Sequence, residues 1–261
     1  MSDGIYAALS GAVAQQRALA VVANNVANAN TTGFRADRTT FQEALQLAGG
    51  QGPAPEALRL ATVAQVHTTS GAGPLQQTDN PLDFSIQGDG WFEVETKAGS
   101  RYTRAGAFVT DAEGYIQNPV GQRLLGWDPS GRPDKAIPLQ VPPDTAELRV
   151  DPDGTVFALL QTQGGLPDET AIGRIKVLEF GEDAVLRKEG SDLFALEQGK
   201  PALAADAQVM QGAVEGANIN AVAGLHELIT VSRSFEAMQK IIDTFQQIDQ
   251  RTARDLGTRS S

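Results

Sequence analysis

Residues 221–250 read AVAGLHELITVSRSFEAMQKIIDTFQQIDQ, and within them Leu228, Val231, Phe235, Met238, Ile242 and Phe245 follow one another by 3, 4, 3, 4 and 3. Such steps lay one apolar stripe along a helix and keep it facing a single partner. Proline is absent from the run, and the opposite positions hold Arg233, Glu236, Lys240, Asp243 and Gln247, the pattern of a solvated face. The spacing predicts a long C-terminal helix that needs something apolar to lie against.

The other end of the chain supplies a counterpart. Ile5, Ala8, Ala12, Leu19, Val22, Val26 and Ala29 keep steps of 3 and 4, interrupted only at Gln15. Alanines on that seam let two helices approach closely. Each terminal segment would extend about 40 Å at 1.5 Å per residue. Asp3 and Arg17 are the only charges before Arg35, so most of this helix is built to be covered. The simplest arrangement pairs the two ends as a coiled coil, with neighbouring subunits covering the remainder, because isolated helices of this length are marginal in water.

Between the ends the period changes from that of a helix to that of a strand. Candidate strands run from Asp83 to Ile86, Trp91 to Glu95, Phe108 to Thr110 and Gly173 to Phe180. Gly88-Asp89-Gly90, Asp111-Ala112-Glu113-Gly114, Asp128-Pro129-Ser130-Gly131 and Asp151-Pro152-Asp153-Gly154 supply the turns between strands. Gly/Pro-rich stretches at Ala48 to Pro55 and Ser70 to Pro74 mark connectors. The fold class expected is α+β: residues 1–35 with 222–261 as a terminal helical domain, 36–80 with 201–221 as an extended connector region, and 81–200 as an inserted antiparallel β domain.

A formal charge of -11 and a pI near 4.7, with no basic cluster to offset them, argue against nucleic acid as a partner. There is no cysteine, which removes disulfides, thiolate nucleophiles and Cys-based zinc sites. The N-terminus lacks the basic and apolar regions of a secretory signal, and no apolar stretch approaches the roughly 18 residues of a membrane span. An exported chain of this kind is expected to leave unprocessed and to insert in no membrane.

The local candidates for chemistry read as structure. His67 and His226 each lack a second His or Cys at ligand spacing, so no metal is expected. Asp151, Asp153 and Gly154 open like a calcium loop, but the closing Glu and flanking helices are missing, and a turn suffices. Gly88-Asp89-Gly90 lacks the Lys and helix of a phosphate loop. Asn30-Thr31-Thr32 fits the glycosylation pattern at a helix end expected to be packed. Acidic residues are scattered through the β section, but nothing places two around a cleft as glycoside hydrolysis requires. No cofactor and no catalytic residue is expected.

Residues 23–34, ANNVANANTTGF, resist such readings. Asparagine is a poor helix former, and Asn24, Asn25, Asn28 and Asn30 close an alanine-rich helix. Their amides are expected to make specific hydrogen bonds, with Gly33 as a left-handed helix stop. This run resembles the N-terminal signature of the flagellar rod, hook and hook-associated family. The resemblance continues through Gly88-Asp89-Gly90-Trp91-Phe92, Tyr102-Thr103-Arg104-Ala105-Gly106-Ala107-Phe108, Gly126-Trp127 and Gln211-Gly212-Ala213-Val214-Glu215-Gly216-Ala217-Asn218-Ile219-Asn220, covering essentially the whole chain. Gly224 departs from it, standing where an acidic residue is common.

The resemblance implies a structural subunit without enzymatic activity, exported by the flagellar type III apparatus. Its helices would pack in the inner tube of a rod that spans the periplasm, with copies of itself and other rod proteins as partners. Length and the opening residues Ile5 to Ala12 resemble proximal rod members, with distal rod or hook members next. Candidate subunit contacts are Ile5, Leu19, Val22, Asn24, Asn25, Val26, Asn28, Gly33, Phe34, Leu228, Val231, Phe235, Met238, Ile242 and Phe245. A reading of a different class remains open at this point, a stand-alone ligand-binding or carbohydrate-acting β domain.

Overall fold

The computed structural model of the chain describes residues 2–47, 57–129, 136–160, 168–181, 183–190, 192–204 and 206–258. The Gly/Pro-rich connector at Ala48 to Pro55 and part of the turn ending at Gly131 lie outside the described residues. The chain forms two compact units, one of residues 1–27, 36–69 and 219–261, the other of residues 28–35 and 70–218.

The first unit holds both helices. Helix α1, Ser2–Ala27, has 26 residues and α2, Ala221–Thr258, has 38, lengths of about 39 and 57 Å. They run antiparallel. Gly4 faces the ring of Phe245, Gly11 faces the Met238 sulfur, and near the far end of α1 Val26 faces Gly224. A Cβ at Gly224 would lie 2.9 Å from the Val26 side chain, which gives a packing reason for glycine there. Asn220 caps α2, its Oδ1 accepting the Val222 and Ala223 amides at 3.0 and 3.1 Å.

The region expected as a connector contains a long hairpin. Strand β1, Asp37–Leu47, pairs antiparallel with β2, Ala57–Thr68, from Asp37 opposite Thr68 to Leu47 opposite Ala57, with one irregularity at Thr40 and Phe41. Its open end is fastened by the Thr69 amide donating to the Ala36 carbonyl at 2.8 Å and the Thr68 hydroxyl donating to the Asp37 carboxylate at 2.7 Å. Helix α1 packs against this hairpin as well as against α2.

The second unit is antiparallel β. Its main sheet runs through the strands Thr145–Val150, Thr155–Leu160, Asp168–Ile175, Arg123–Trp127, Trp91–Thr96, Gly99–Thr103, Leu193–Gln198 and Val185–Glu189. The turns read from the sequence fall between strands: 88–90 before Trp91, 111–114 before the Ile116–Gln117 strand, and 151–154 before Thr155. Alternation in Trp91–Thr96 puts Phe92 and Val94 into a core with Phe84, Phe108, Leu124, Leu139 and Val156. The Phe108 ring lies 5.8 Å from those of Phe84 and Phe92. On the other side of the strand Glu93 is buried and paired with Lys176 at 2.5 Å.

Two further expectations are corrected. Gly173 to Phe180 is not one strand. Asp168–Ile175 pairs with Thr155–Leu160 and Arg123–Trp127, whereas Val177–Phe180 pairs with Trp91–Thr96 and Pro201–Leu203, so the chain changes neighbours at Lys176. The segment 201–221 is not extended linker throughout, since Pro201–Leu203, Gln208–Gln211 and Ala213–Glu215 are strands. Each is too short for period-two alternation to show in the sequence.

Candidate assembly surface

Helix α1 carries three apolar stripes. Ala8, Ala12 and Val22 of the expected seam are buried, and Ile5, Leu19 and Val26 half-buried. A second set, Gly11, Ala14, Ala18 and Asn25, is also buried, because α1 is covered by the hairpin as well as by α2. The third stripe, Tyr6, Leu9 and Val13, keeps the same 3 and 4 steps and stays exposed, Tyr6 at 58 %. It carries no charge. The nearly charge-free circumference of α1 is its signal in the sequence, although the sequence reading assigns no 3 and 4 pattern to these three residues.

Helix α2 behaves differently. Leu228, Val231, Phe235, Met238, Ile242 and Phe245 all lie on one side and are all only half-buried. Among its described side chains only Gly224 is buried. Arg233, Glu236, Lys240, Asp243 and Gln247 are exposed as expected. Exposed as well, and not anticipated, are Val222, Leu225 and Ile229 near its start and Ile241 and Ile248 further on, Ile229 at 52 %.

The asparagines separate by position. Asn25 is buried and binds both backbone groups of Asp37, its Nδ2 donating to the carbonyl at 2.7 Å and its Oδ1 accepting the amide at 3.0 Å. That fastens the last turn of α1 to the root of β1. The half-buried Asn28 accepts from the Thr31 hydroxyl through its side chain at 3.2 Å and from the Thr31 amide through its carbonyl at 3.0 Å. Asn24 is exposed.

Gly33 and Phe34 belong to the β unit, where they are buried. Gly33 has φ of 67°, its amide donates to the Glu215 carbonyl at 2.7 Å, and a Cβ there would sit 2.1 Å from the Ala105 nitrogen. Only glycine fits such a place. The Lys188 ammonium stands 4.0 Å over the Phe34 ring and donates to the Arg35 carbonyl at 2.7 Å. These residues therefore dock a chain segment inside the protomer. Arg35, Arg104 and Glu215, which the sequence reading did not single out, are buried beside them.

Among the described residues no group of His, Asp and Glu is placed to hold a metal, and no helix is long and apolar enough to cross a membrane. His67 and His226 are exposed. A cleft of about 570 Å³ is lined by residues that include Trp127, Asp128, Asp153 and Arg174. The Thr155 amide and hydroxyl each donate to the Asp153 carboxylate at 2.9 Å and hold it below the usual carboxylate range. A general acid for glycoside cleavage needs the opposite shift.

Comparison with known proteins accounts for most of the chain. Residues 5–35 match the family "Flagella basal body rod protein", 85–158 the "Flagellar hook protein FlgE/F/G D1 domain", and 210–255 the family "Flagellar basal body rod FlgEFG protein C-terminal". The flagellar basal-body rod protein FlgF of Mesorhizobium japonicum is 31 % identical over 263 residues, covering 100 % of both chains. FlgF of Escherichia coli is 34 % identical over 258 residues, 94 % of each chain. The rod protein FlgG of Agrobacterium fabrum is 32 % identical over 260 residues, 91 % of this chain and 93 % of that one.

Proposed function

As the chain belongs to the flagellar basal-body rod protein family, we propose that it polymerises through its terminal helices into the torque-transmitting shaft, as an FlgF-like subunit of the proximal rod. It is a structural subunit and not an enzyme. The observation that carries the mechanism is the exposed, uncharged stripe Tyr6, Leu9 and Val13 on a helix already covered on two other sides. Covering such a stripe takes another protein, and the half-buried seam of α2 asks for the same.

The antiparallel pair of α1 and α2 is the unit from which a continuous coiled-coil wall is built. Alanines and glycines on α1 permit close approach, while the larger side chains of α2 fill the spaces between helices. Other copies and neighbouring rod proteins supply the remaining faces, and the acidic β domain contributes an outer contact surface. The chain reaches its site, the rod across the periplasm, through the flagellar type III export apparatus and inserts in no membrane.

The test is electron microscopy of basal bodies from cells lacking this chain, with motility measured alongside. Absent or truncated rods are expected, and truncation near the rod base assigns the proximal position. Truncation further out would favour an FlgG-like distal subunit, which the similar identity to FlgG keeps as the second reading. Intact, rotating flagella would overturn the assignment.

A further inference from the structure

Glu215 is 1 % exposed, yet it carries a charge, and burying a lone carboxylate costs several kcal/mol. Its partners show what offsets that cost. Oε1 accepts from Arg35 Nη1 at 2.5 Å and from the Gly73 amide at 2.8 Å, while Oε2 accepts from Arg104 Nη1 at 3.2 Å. The Glu215 backbone carbonyl takes the Gly33 amide at 2.7 Å. One residue thus engages the segment that ends at Arg35, the segment that begins at Ser70, its own strand, and the body of the β unit through Arg104. Arg104 is fixed in turn by donating to the Gly88 carbonyl at 2.9 Å.

The neighbouring backbone follows the same plan. The Gly216 amide donates to the Pro74 carbonyl at 2.8 Å, the Asn218 amide to the Phe34 carbonyl at 3.2 Å, and the Asn218 side chain to the Gly71 carbonyl at 2.8 Å. Residues 35, 70 and 218 stand at three of the four points at which the chain passes between this unit and the helical one, the fourth being residue 28. From this geometry we infer that Glu215 is a positioning residue, a buried clamp that gathers three of the connecting segments at one place in the β unit. The inference rests on the rod reading only for its purpose, since a subunit that transmits force needs connections of defined geometry.

Two features separate a clamp from an ordinary core contact. A carboxylate facing two guanidiniums and an amide is satisfied on both oxygens by donors alone, which no neutral side chain of its size can reproduce. Replacing a whole buried ion cluster by apolar groups is often harmless to stability, whereas removing Glu215 alone leaves the guanidiniums of Arg35 and Arg104 buried without a counter-charge. What it supplies is selection of one arrangement of the three segments.

Site-resolved hydrogen exchange on the full chain tests this, comparing wild type with Glu215→Gln. An amide in place of the carboxylate sets an N–H donor against a guanidinium. The expected result is exchange at Gly33, Gly73 and Asn218 accelerated about tenfold or more beyond any acceleration at the sheet amides of Val94 and Leu124. Should Glu215→Gln not fold, Glu215→Asp serves, since it keeps the charge but is a methylene short of reaching both arginines, and the same local loss is expected. Unchanged protection at the three amides, or a loss spread evenly through the sheet, would overturn the clamp. Because the assay needs no assembly, that failure would leave the rod assignment standing.

Discussion

Replacing Gly33 by alanine should destabilise the β unit far more than one added methyl suggests. An L residue at φ of 67° costs about 1–2 kcal/mol. The new Cβ would sit 2.1 Å from the Ala105 nitrogen and 2.3 Å from the Arg104 carbonyl carbon, both backbone atoms that cannot swing aside. The segment must retreat by at least about 1 Å to reach ordinary contact distance. Retreat strains the Gly33 amide bond to Glu215 at 2.7 Å and the Asn218 amide bond to the Phe34 carbonyl at 3.2 Å, worth about 1 kcal/mol each. The loss comes to about 3–4 kcal/mol before any displacement of Phe34, a large part of the 5–15 kcal/mol typical of a domain. Urea unfolding followed by the fluorescence of Trp91 and Trp127, both in the β unit, reads this directly. Gly71→Ala is the control, since a Cβ there meets nothing within 4 Å. A loss under about 1 kcal/mol for Gly33→Ala, or equal losses for the two variants, would refute the reasoning.

Leu9→Asp and Val13→Asp lie on the exposed stripe of α1, so the isolated chain should keep its stability within about 0.5 kcal/mol while motility and rod assembly are lost; swimming-plate diameter set beside thermal melting checks both halves. Phe235→Asp should cost the isolated chain only about 1–2 kcal/mol, because that ring is half-buried, yet prevent assembly, where the charge becomes fully enclosed; normal motility would sink the interface assignment. Burial, with Glu93 adding to it, pushes the Tyr102 phenol above its ordinary value. A raised folded pKa means that this stabilisation is complete below the unfolded tyrosine value and is lost as pH rises through the folded one. Absorbance titration at alkaline pH should show a late-ionising fraction that Tyr102→Phe removes.

Helices were legible in the sequence because their period extends over many residues. The stretch from Leu228 to Phe245 repeats its pattern often enough to fix α2, and the asparagine run announced the Asn25 contact without naming Asp37 as its partner. The hairpin of β1 and β2 was not legible. The Gly and Pro residues at 48–55 drew attention as a linker, and its pairing is a contact between strands that no local window contains. The role of Glu215, which the sequence shows only as one position of a longer motif, was not legible for a related reason. Its meaning lies in Arg35 and Arg104, which are 180 and 111 residues away along the chain, and a lone Glu in a short strand carries no periodic signal. Phe34, read as a contact between subunits, instead packs within the β unit, because an aromatic after a helix stop looks alike whether it docks on its own chain or on another.

The packing of the helical unit also explains why assembly and folding belong together in such a chain. The side chains that α1 buries are mostly alanines, each worth little more than one methyl group, about 0.8 kcal/mol. Those α2 turns toward its partner remain half in water. Ordering each residue of either helix costs about 1–2 kcal/mol of backbone entropy, so intramolecular burial leaves these helices with a narrow margin. Any surface that binds the ordered pair and not the disordered one adds stability that grows with the logarithm of its free concentration over Kd. The stripe Tyr6, Leu9 and Val13 and the stripe Val222, Leu225 and Ile229 are unlike one another. If copies pair one stripe against the other, the contact is heterologous, and its repetition generates a ring or an open helical filament in place of a closed dimer. On the proposed reading, a subunit whose helices are completed by its neighbours would be stiffest in the polymer, where a shaft has to carry load.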